Sequence, residues 1–218
     1  MRNLLLFTAL LAPCLSAYVY KYDDGTAEFS TLGMRNGILA VGYQATAPNT
    51  MISGMRFWNF WGTGNGHAIS YHLWGDPDND GVINNPVLLQ TVNTTINAPG
   101  PGGNWQEVVF PSTTAFNDGD WFYVGISFYD PTLAYFLGGN DRTSLTNGLS
   151  WMITFPGPGP GNTANFAGGT ISNYGTTTGL TGVLMIRALT ADETAAPEPG
   201  TAALAAVGVL AMILRARR

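Results

Sequence analysis

Residues 117–129 read Asn-Asp-Gly-Asp-Trp-Phe-Tyr-Val-Gly-Ile-Ser-Phe-Tyr, and this stretch decides the fold class. The first four are turn formers, and the residues after them alternate between two faces, as they do in a β-strand. One face would carry Phe122, Val124, Ile126 and Phe128. The other face would carry Trp121, Tyr123, Ser127 and Tyr129. The pattern predicts a strand with an aliphatic and phenyl face toward a core and an aromatic, more polar face on the opposite side.

The same period of two recurs along the chain between clusters of turn-forming residues. It predicts further strands at 38–44, 51–60, 69–74, 87–92, 105–110, 149–155 and 184–189. Segment 157–182 is rich in Gly, Thr and Asn, and it predicts long loops with one weak strand. No useful helical period occurs before the C-terminal segment. Many short strands between turns indicate an all-β protein, an antiparallel β-sandwich with a jelly-roll-like topology.

The N-terminus is typical of a secretory signal peptide. Arg2 precedes an apolar run over 4–15, and Leu15-Ser16-Ala17 supplies the small residues of a cleavage site. We expect residues 1–17 to be removed after Ala17. The alternative, lipidation of Cys14, is disfavoured because Pro13 stands where a small residue is expected.

The C-terminus carries a second signal. Residues 201–214 (TAALAAVGVLAMIL) are apolar and predict a single hydrophobic helix. This run is short for a bilayer span, which needs about 20 residues. The arginines that follow would stay on the cytoplasmic side, which places the domain outside the cytoplasm. The alternative is a C-terminal helix packed on the domain. The flanking residues are Pro197, Glu198 and Pro199 before the run, and Arg215, Arg217 and Arg218 after it.

This order of Pro-Glu-Pro, apolar helix and arginine end resembles the PEP-CTERM sorting signal of bacterial envelope proteins. The resemblance covers 197–218 and implies an exosortase as the processing partner. It implies transient anchoring in the inner membrane, followed by release to the outer envelope, the cell surface or the extracellular matrix. An association with exopolysaccharide in biofilm is implied by the same sorting class. The predicted organisation is a signal peptide (1–17), a β-sandwich domain (18–190), a linker (191–196) and the sorting signal (197–218).

Without both signals, the composition is that of one acidic domain. Residues 18–198 contain five basic and all fourteen acidic side chains, which leaves a net charge of −9. No basic stripe is present, so nucleic acid is excluded as a partner. The only cysteine lies in the signal peptide, and the mature chain is therefore expected to have no disulfide.

Four segments are similar to the exported β-sandwich domains called choice-of-anchor domains. They are 22–28, 69–74, 119–125 and 184–188. The resemblance supports the fold and the export, and it implies no shared activity. We therefore expect a non-enzymatic protein.

One loop carries metal-binding chemistry. Asp76-Pro77-Asp78-Asn79-Asp80-Gly81 places carboxylates at i, i+2 and i+4 before a glycine, as in the first half of an EF-hand loop. The twelfth position is Val87 where a bidentate glutamate is expected, and the flanks predict strands. The hypothesis is a structural Ca²⁺ site formed by Asp76, Asp78, Asp80 and the carbonyl of Val82. The alternative is a plain acidic turn.

Evidence for catalysis is weak in this sequence. His67 and His72 have no partner at metal-ligand spacing, and both are expected at the surface or at an edge. A glycan-active hydrolase would need two facing carboxylates, and nothing in the sequence pairs the available ones. These are Glu28, Glu107, Asp120, Asp130 and Asp141.

Carbohydrate binding is the stronger alternative, because aromatic rings exposed on a sandwich face can stack on sugars. Most tryptophans are expected in the core. The side chains opposite the apolar faces of their strands are the best candidates for an exposed platform. They are Trp74, Trp121, Tyr123 and Tyr129.

Overall fold

A computed structural model describes residues 18–30, 36–59, 65–97, 103–129, 138–143, 148–157, 159–174 and 182–191. The predicted signal peptide, residues 192–196 of the linker and the sorting signal lie outside these ranges. Among the residues described, no helix has the length and apolar character needed to cross a membrane.

The described ranges contain thirteen strands, and every pairing between them is antiparallel. The strands predicted from the period of two are confirmed with one correction: the segment 184–189 is divided at Met185 into β12 and β13, which belong to different sheets. Residue 60 of the predicted strand 51–60 lies outside the described ranges, and β11 is the weak strand expected within 157–182. The strands are β1 (Val19–Tyr20), β2 (Phe29–Ser30), β3 (Asn36–Gln44), β4 (Met51–Asn59), β5 (Ala68–Gly75), β6 (Val87–Thr95), β7 (Asn104–Ala115), β8 (Trp121–Tyr129), β9 (Gly139–Asp141), β10 (Ser150–Thr154), β11 (Thr170–Asn173), β12 (Val183–Leu184) and β13 (Ile186–Thr190).

Two sheets form the sandwich, and a small third sheet lies beside them. The four-stranded sheet has the order β1-β13-β4-β7, and the six-stranded sheet has the order β11-β10-β3-β8-β5-β6. The third sheet has the order β12-β9-β2. From β3 to β8, four of the five connections pass from one large sheet to the other, and most neighbouring strands in the two sheets are therefore distant in sequence. The predicted antiparallel β-sandwich is thereby confirmed.

The core between the sheets is built by the alternation of the strands. In β8, Phe122, Val124, Ile126 and Phe128 are all buried in this core, as the sequence predicted. They belong to the same apolar core cluster as residues of the facing sheet, including Met55 of β4. Burial of each such side chain contributes about 1.5–3 kcal/mol, so this packing is the main stabilising term of the sandwich.

The outer face of the six-stranded sheet is covered by a second apolar cluster. Trp74 of β5 and Tyr123 of β8 have no exposed surface, although the sequence predicted an exposed platform there. The covering side chains come from two loops, Ile83 from the loop after β5 and Phe166 from the loop after β10. The Trp74 indole also donates a hydrogen bond of 2.7 Å to the Thr163 carbonyl. The prediction of exposure is therefore wrong for Trp74 and Tyr123.

Candidate functional site

The acidic loop connects two paired strands. Gly75 at the end of β5 pairs with Val87 at the start of β6, which makes residues 76–86 the loop of a hairpin. The strands predicted on both flanks are thus confirmed. One carboxylate oxygen from each of Asp76, Asp78 and Asp80 lies within 4.8 Å of the others. The structure brings together the three carboxylates that the sequence selected.

Asp76 is the buried member of this trio. Its Oδ2 accepts hydrogen bonds from the Gly81 amide at 2.9 Å and from the Tyr123 hydroxyl at 3.1 Å. Its Oδ1 is buried and has no hydrogen-bond partner within the part of the chain that the structure describes. Burial raises the pKa of Asp76, and the neighbouring Asp78 carboxyl raises it further. The site therefore has concentrated negative charge with one carboxylate oxygen unsatisfied.

The other two carboxylates are exposed and accept hydrogen bonds from nearby donors. The Asn85 side-chain amide donates to Asp78 Oδ2 at 2.8 Å, and the Val82 amide donates to Asp80 Oδ1 at 2.7 Å. The Val82 carbonyl, predicted as a fourth metal ligand, accepts a hydrogen bond of 2.7 Å from the Asn84 amide. Convergence is thus established for the three aspartates, and the role of Val82 stays a prediction.

A groove of about 380 Å³ lies beside this loop. The half-buried Trp121 lines it together with Asp120, Asn79 and the exposed aliphatic side chains of Val87 and Leu89. A register shift in the β5–β6 pairing leaves Leu89 without a partner between Gln90 and Leu88, because the pairing passes from Leu73↔Gln90 to Trp74↔Leu88. Such a bulge bends the strand locally. Here the unpaired residue of the bulge, Leu89, is one of the residues that line the groove.

Trp121 is held from two sides by the acidic loop. Its backbone amide donates a hydrogen bond of 2.6 Å to Asn79 Oδ1. A Cβ placed on Gly81 would lie only 3.0 Å from the indole Cε2, so the absence of a side chain at Gly81 lets the indole pack against the loop. The predicted metal-binding loop and the predicted ligand-binding residue Trp121 therefore lie next to each other.

Tyr129, the fourth aromatic residue of the predicted platform, lies in a different cleft. This cleft has a volume of about 200 Å³ and also contains Phe155 and Ser70. Because Trp74 and Tyr123 are buried, Trp121 and Tyr129 do not form a continuous surface. The four predicted residues therefore divide into two buried rings and two half-buried rings in separate clefts.

His72 is buried, which corrects the expectation that it lies at the surface or at an edge. Its Nδ1 is 3.0 Å from the Thr91 hydroxyl and its Nε2 is 2.8 Å from the Ser127 hydroxyl. Burial lowers the pKa of His72 to about 4. A neutral ring between two hydroxyls suits a structural role. His67 is half-buried beside the start of β5.

A second acidic cluster was not predicted from the sequence. It brings Asp24 and Glu28 together with Asp141, more than a hundred residues away along the chain. Asp141 is fully buried, and its carboxylate accepts hydrogen bonds from the Asp24 amide at 2.7 Å and from the Thr143 amide at 2.9 Å. Hydrogen bonds from Thr26 lower the pKa of Asp24. Protein donors thus satisfy this cluster, which links the N-terminal segment to β9. No local sequence signal pairs these residues.

The similarity of this chain to known proteins is a similarity of fold. No family model and no curated protein matches the chain. Among solved structures, the chain is similar to the cysteine protease and lectin-like domains of Cwp84, a surface layer associated protein of Clostridium difficile. The TM-score is 0.53 and the identity 11%, over 80% of this chain and 36% of that one. Clostridial Cwp84 after propeptide cleavage matches with a TM-score of 0.49 and 12% identity, over 80% of this chain and 40% of that one. This chain spans less than half the length of either structure.

Proposed function

We propose that this protein is an exported, non-enzymatic β-sandwich protein of the cell surface that binds carbohydrate in the groove lined by Trp121. The observation that carries the proposal is the composition of that groove. It combines one half-buried indole with a carboxylate, Asp120, and an amide, Asn79. Sugars present apolar C–H faces together with hydroxyl groups, and this groove offers a surface of each kind.

The size of the groove and its position support this use. Its volume of about 380 Å³ falls in the range of small-molecule sites, which are concave, mostly apolar and equipped with a few polar groups. The indole is packed against Gly81 and its backbone is hydrogen-bonded to Asn79, so the ring is held in place before a ligand arrives. Such preorganisation lowers the entropic cost of binding.

The charge of the domain selects among glycans. With a net charge of −9 over 18–198, the domain would repel polyanionic polysaccharides at low ionic strength. Two of the domain's carboxylates, those of Asp76 and Asp120, line the groove itself. We therefore propose neutral polysaccharides, including neutral exopolysaccharide of a biofilm matrix, as the ligand class.

The fold comparison is consistent with this proposal. The description of Cwp84 names a cysteine protease and a lectin-like part, and an all-β sandwich matching 36% of that chain fits the lectin-like part. The strand order also supports the jelly-roll prediction. When β1, β3, β4, β5, β6, β7, β8 and β13 are counted as strands 1 to 8, the sheets have the orders 1-8-3-6 and 2-7-4-5. We assign this order to a jelly roll, with β10 and β11 added at one edge.

Delivery to the surface is the second part of the proposal. Cleavage after Ala17 and exosortase processing at Pro197-Glu198-Pro199 would release the domain to the outer envelope or the extracellular matrix. Intact-mass measurement of the protein from its native host tests this directly. Loss of residues 1–17 and of the C-terminal apolar helix is expected, and a mass that retains either segment would contradict this part of the proposal.

The binding experiment uses affinity electrophoresis of the purified protein in gels containing cellulose derivatives, xylan, mannan or β-glucan, with alginate as the anionic comparison. Retardation is expected with at least one neutral polymer. Trp121→Ala should weaken that retardation by tenfold or more in apparent Kd, which corresponds to about 1.4 kcal/mol.

Tyr129→Ala is the matched control, because Tyr129 is also half-buried at a cleft but lies outside the Trp121 groove. It should leave the retardation unchanged. No retardation by any neutral polymer would contradict the proposal. Equal losses of retardation in the two variants, or a loss in Tyr129→Ala alone, would indicate that the carbohydrate-binding site lies outside the Trp121 groove.

A further inference from the structure

We propose that Asp76, Asp78 and Asp80 bind one calcium ion, and that this ion holds the loop that forms one wall of the Trp121 groove. The calcium site depends on the loop alone. The effect of the ion on the groove rests on the proposed function, because the groove matters only if it binds a ligand.

The unsatisfied oxygen of Asp76 is the observation that points to a cation. The residue is 8% exposed, and its Oδ1 is buried without a hydrogen-bond donor in the described part of the chain. A buried carboxylate oxygen without a partner is strongly unfavourable, and buried charges are ordinarily paired or bound to metal. A cation at this position would satisfy the oxygen.

The spacing of the carboxylates suits calcium. One oxygen from each of the three aspartates lies within 4.8 Å of the others. Because Ca²⁺–O distances are about 2.3–2.6 Å, ligands on opposite sides of one ion are separated by up to about 5 Å. Calcium also accepts irregular sets of oxygen ligands completed by water and carbonyls, as a short hairpin loop with two exposed carboxylates would require.

Crowded carboxylates do not by themselves indicate a bound cation, as the second acidic cluster illustrates. One oxygen from each of Asp24, Glu28 and Asp141 also lies within 4.8 Å of the others. There the buried Asp141 accepts hydrogen bonds from the Asp24 amide and from both the amide and the hydroxyl of Thr143. Its carboxylate is satisfied by the protein, whereas Asp76 keeps an unsatisfied oxygen.

The loop connects the carboxylates to the groove. Asp76 lines the groove, and its Oδ2 accepts from the Gly81 amide, whose residue faces the Trp121 indole. Asn79 lies between Asp78 and Asp80 in the sequence, and its Oδ1 accepts a hydrogen bond from the backbone amide of Trp121. An ion that fixes the three carboxylates would therefore fix the two residues that hold Trp121.

The test uses terbium, a luminescent substitute for calcium, added to the purified protein after treatment with EDTA. Excitation of tryptophan should produce sensitised terbium emission, and Ca²⁺ should suppress that emission by competition. Calcium at 100 times its Kd should raise the melting temperature by roughly 5–11 °C for a domain of this size. Trp121→Phe should lower the emission, with Trp74, two residues before Asp76, supplying the remainder, and it should leave the calcium-dependent rise in melting temperature.

The variants Asp78→Asn and Asp80→Asn change exposed carboxylates, so the fold should survive, and each should raise the Kd for calcium at least tenfold. Asp24→Asn, an exposed carboxylate of the other cluster, is the matched control and should leave the Kd unchanged. Absence of both emission and thermal shift at 10 mM Ca²⁺ would overturn the calcium site. Equal effects of all three variants would overturn it as well, because they would indicate diffuse binding to an acidic surface.

Affinity electrophoresis on a neutral polysaccharide that retards the protein, with Ca²⁺ and with EDTA, tests the coupling. Weaker retardation in EDTA is expected. Equal retardation in both conditions would overturn the coupling while leaving the calcium site supported by terbium. Calcium binding with no retardation by any polysaccharide would contradict the proposed function and the coupling, and would support the calcium site alone.

Discussion

Removing one partner of the buried ion pair between Asp23 and Arg187 should be among the most destabilising single substitutions in this domain. Arg187 Nε donates to both carboxylate oxygens of Asp23, at 3.1 and 2.9 Å, and both side chains are buried. The guanidinium also lies 4.1 Å from the ring centroid of Trp105. Asp23→Ala would leave this cation buried without a counter-charge, which costs about 3–5 kcal/mol. The melting temperature should fall by roughly 6–20 °C for a domain of this size.

Urea denaturation and calorimetry measure this loss, and a second ion pair over the same indole supplies the control. Arg56 lies 5.3 Å from the Trp105 ring, and it pairs with the exposed Glu107 at an N–O distance of 3.9 Å, with Arg56 itself half-buried. Glu107→Ala should therefore cost less than about 1 kcal/mol. Combining Asp23→Ala with Arg187→Met should recover part of the stability, because the uncompensated charge is removed. A loss below about 1 kcal/mol for Asp23→Ala, or a double variant no more stable than Asp23→Ala, would refute the reasoning.

Three further predictions concern the outer face of the six-stranded sheet. The pKa of His72 is lowered to about 4 by burial, below its ordinary 6.5, so the folded state favours the neutral ring. Stability should be fully present above pH 6.5 and fall by up to about 3 kcal/mol as the pH drops toward 4, and urea titrations of His72→Gln should lack this decline. Gly81→Ala should lower the melting temperature more than Gly119→Ala: both glycines have positive φ (76° and 92°), but only at Gly81 would a Cβ meet the neighbouring indole. Equal shifts would contradict the packing of the loop. Ile83→Ala should cost about 2–5 kcal/mol by urea denaturation because the side chain is fully buried, whereas the exposed Val82→Ala should cost less than about 0.5 kcal/mol.

Much of the fold was predictable because the relevant signal is local. Alternation in 121–129 places every second side chain on one face whatever the partner strand is, and Phe122 and Val124 are in the core as expected. The acidic loop was predictable for the same reason. Aspartates at i, i+2 and i+4 before a glycine can converge within a single turn, and Asp76, Asp78 and Asp80 do so.

The exposure of the outer face was not predictable in the same way. Alternation correctly placed Trp74 and Tyr123 opposite the central core, but it carries no information about what covers that second face. The covering side chains, Ile83 and Phe166, come from loops without periodicity, and Phe166 is more than ninety residues from Trp74. The burial of His72 was not predictable for the same reason, because its hydroxyl partners, Thr91 and Ser127, lie on two neighbouring strands.

By itself, the sequence determined the antiparallel β-sandwich, most of its strands and the clustering of carboxylates at 76–80, because each depends on residues within a few positions of one another. Only the tertiary structure decided which aromatic rings are available to a ligand, leaving Trp121 beside the acidic loop and burying Trp74 and Tyr123. It also decided that Asp23 pairs with Arg187 and that Asp24 lies beside Asp141, across more than a hundred residues. Pairing across such distances follows from the order of strands in the sheets, and that order is set by how the whole chain packs.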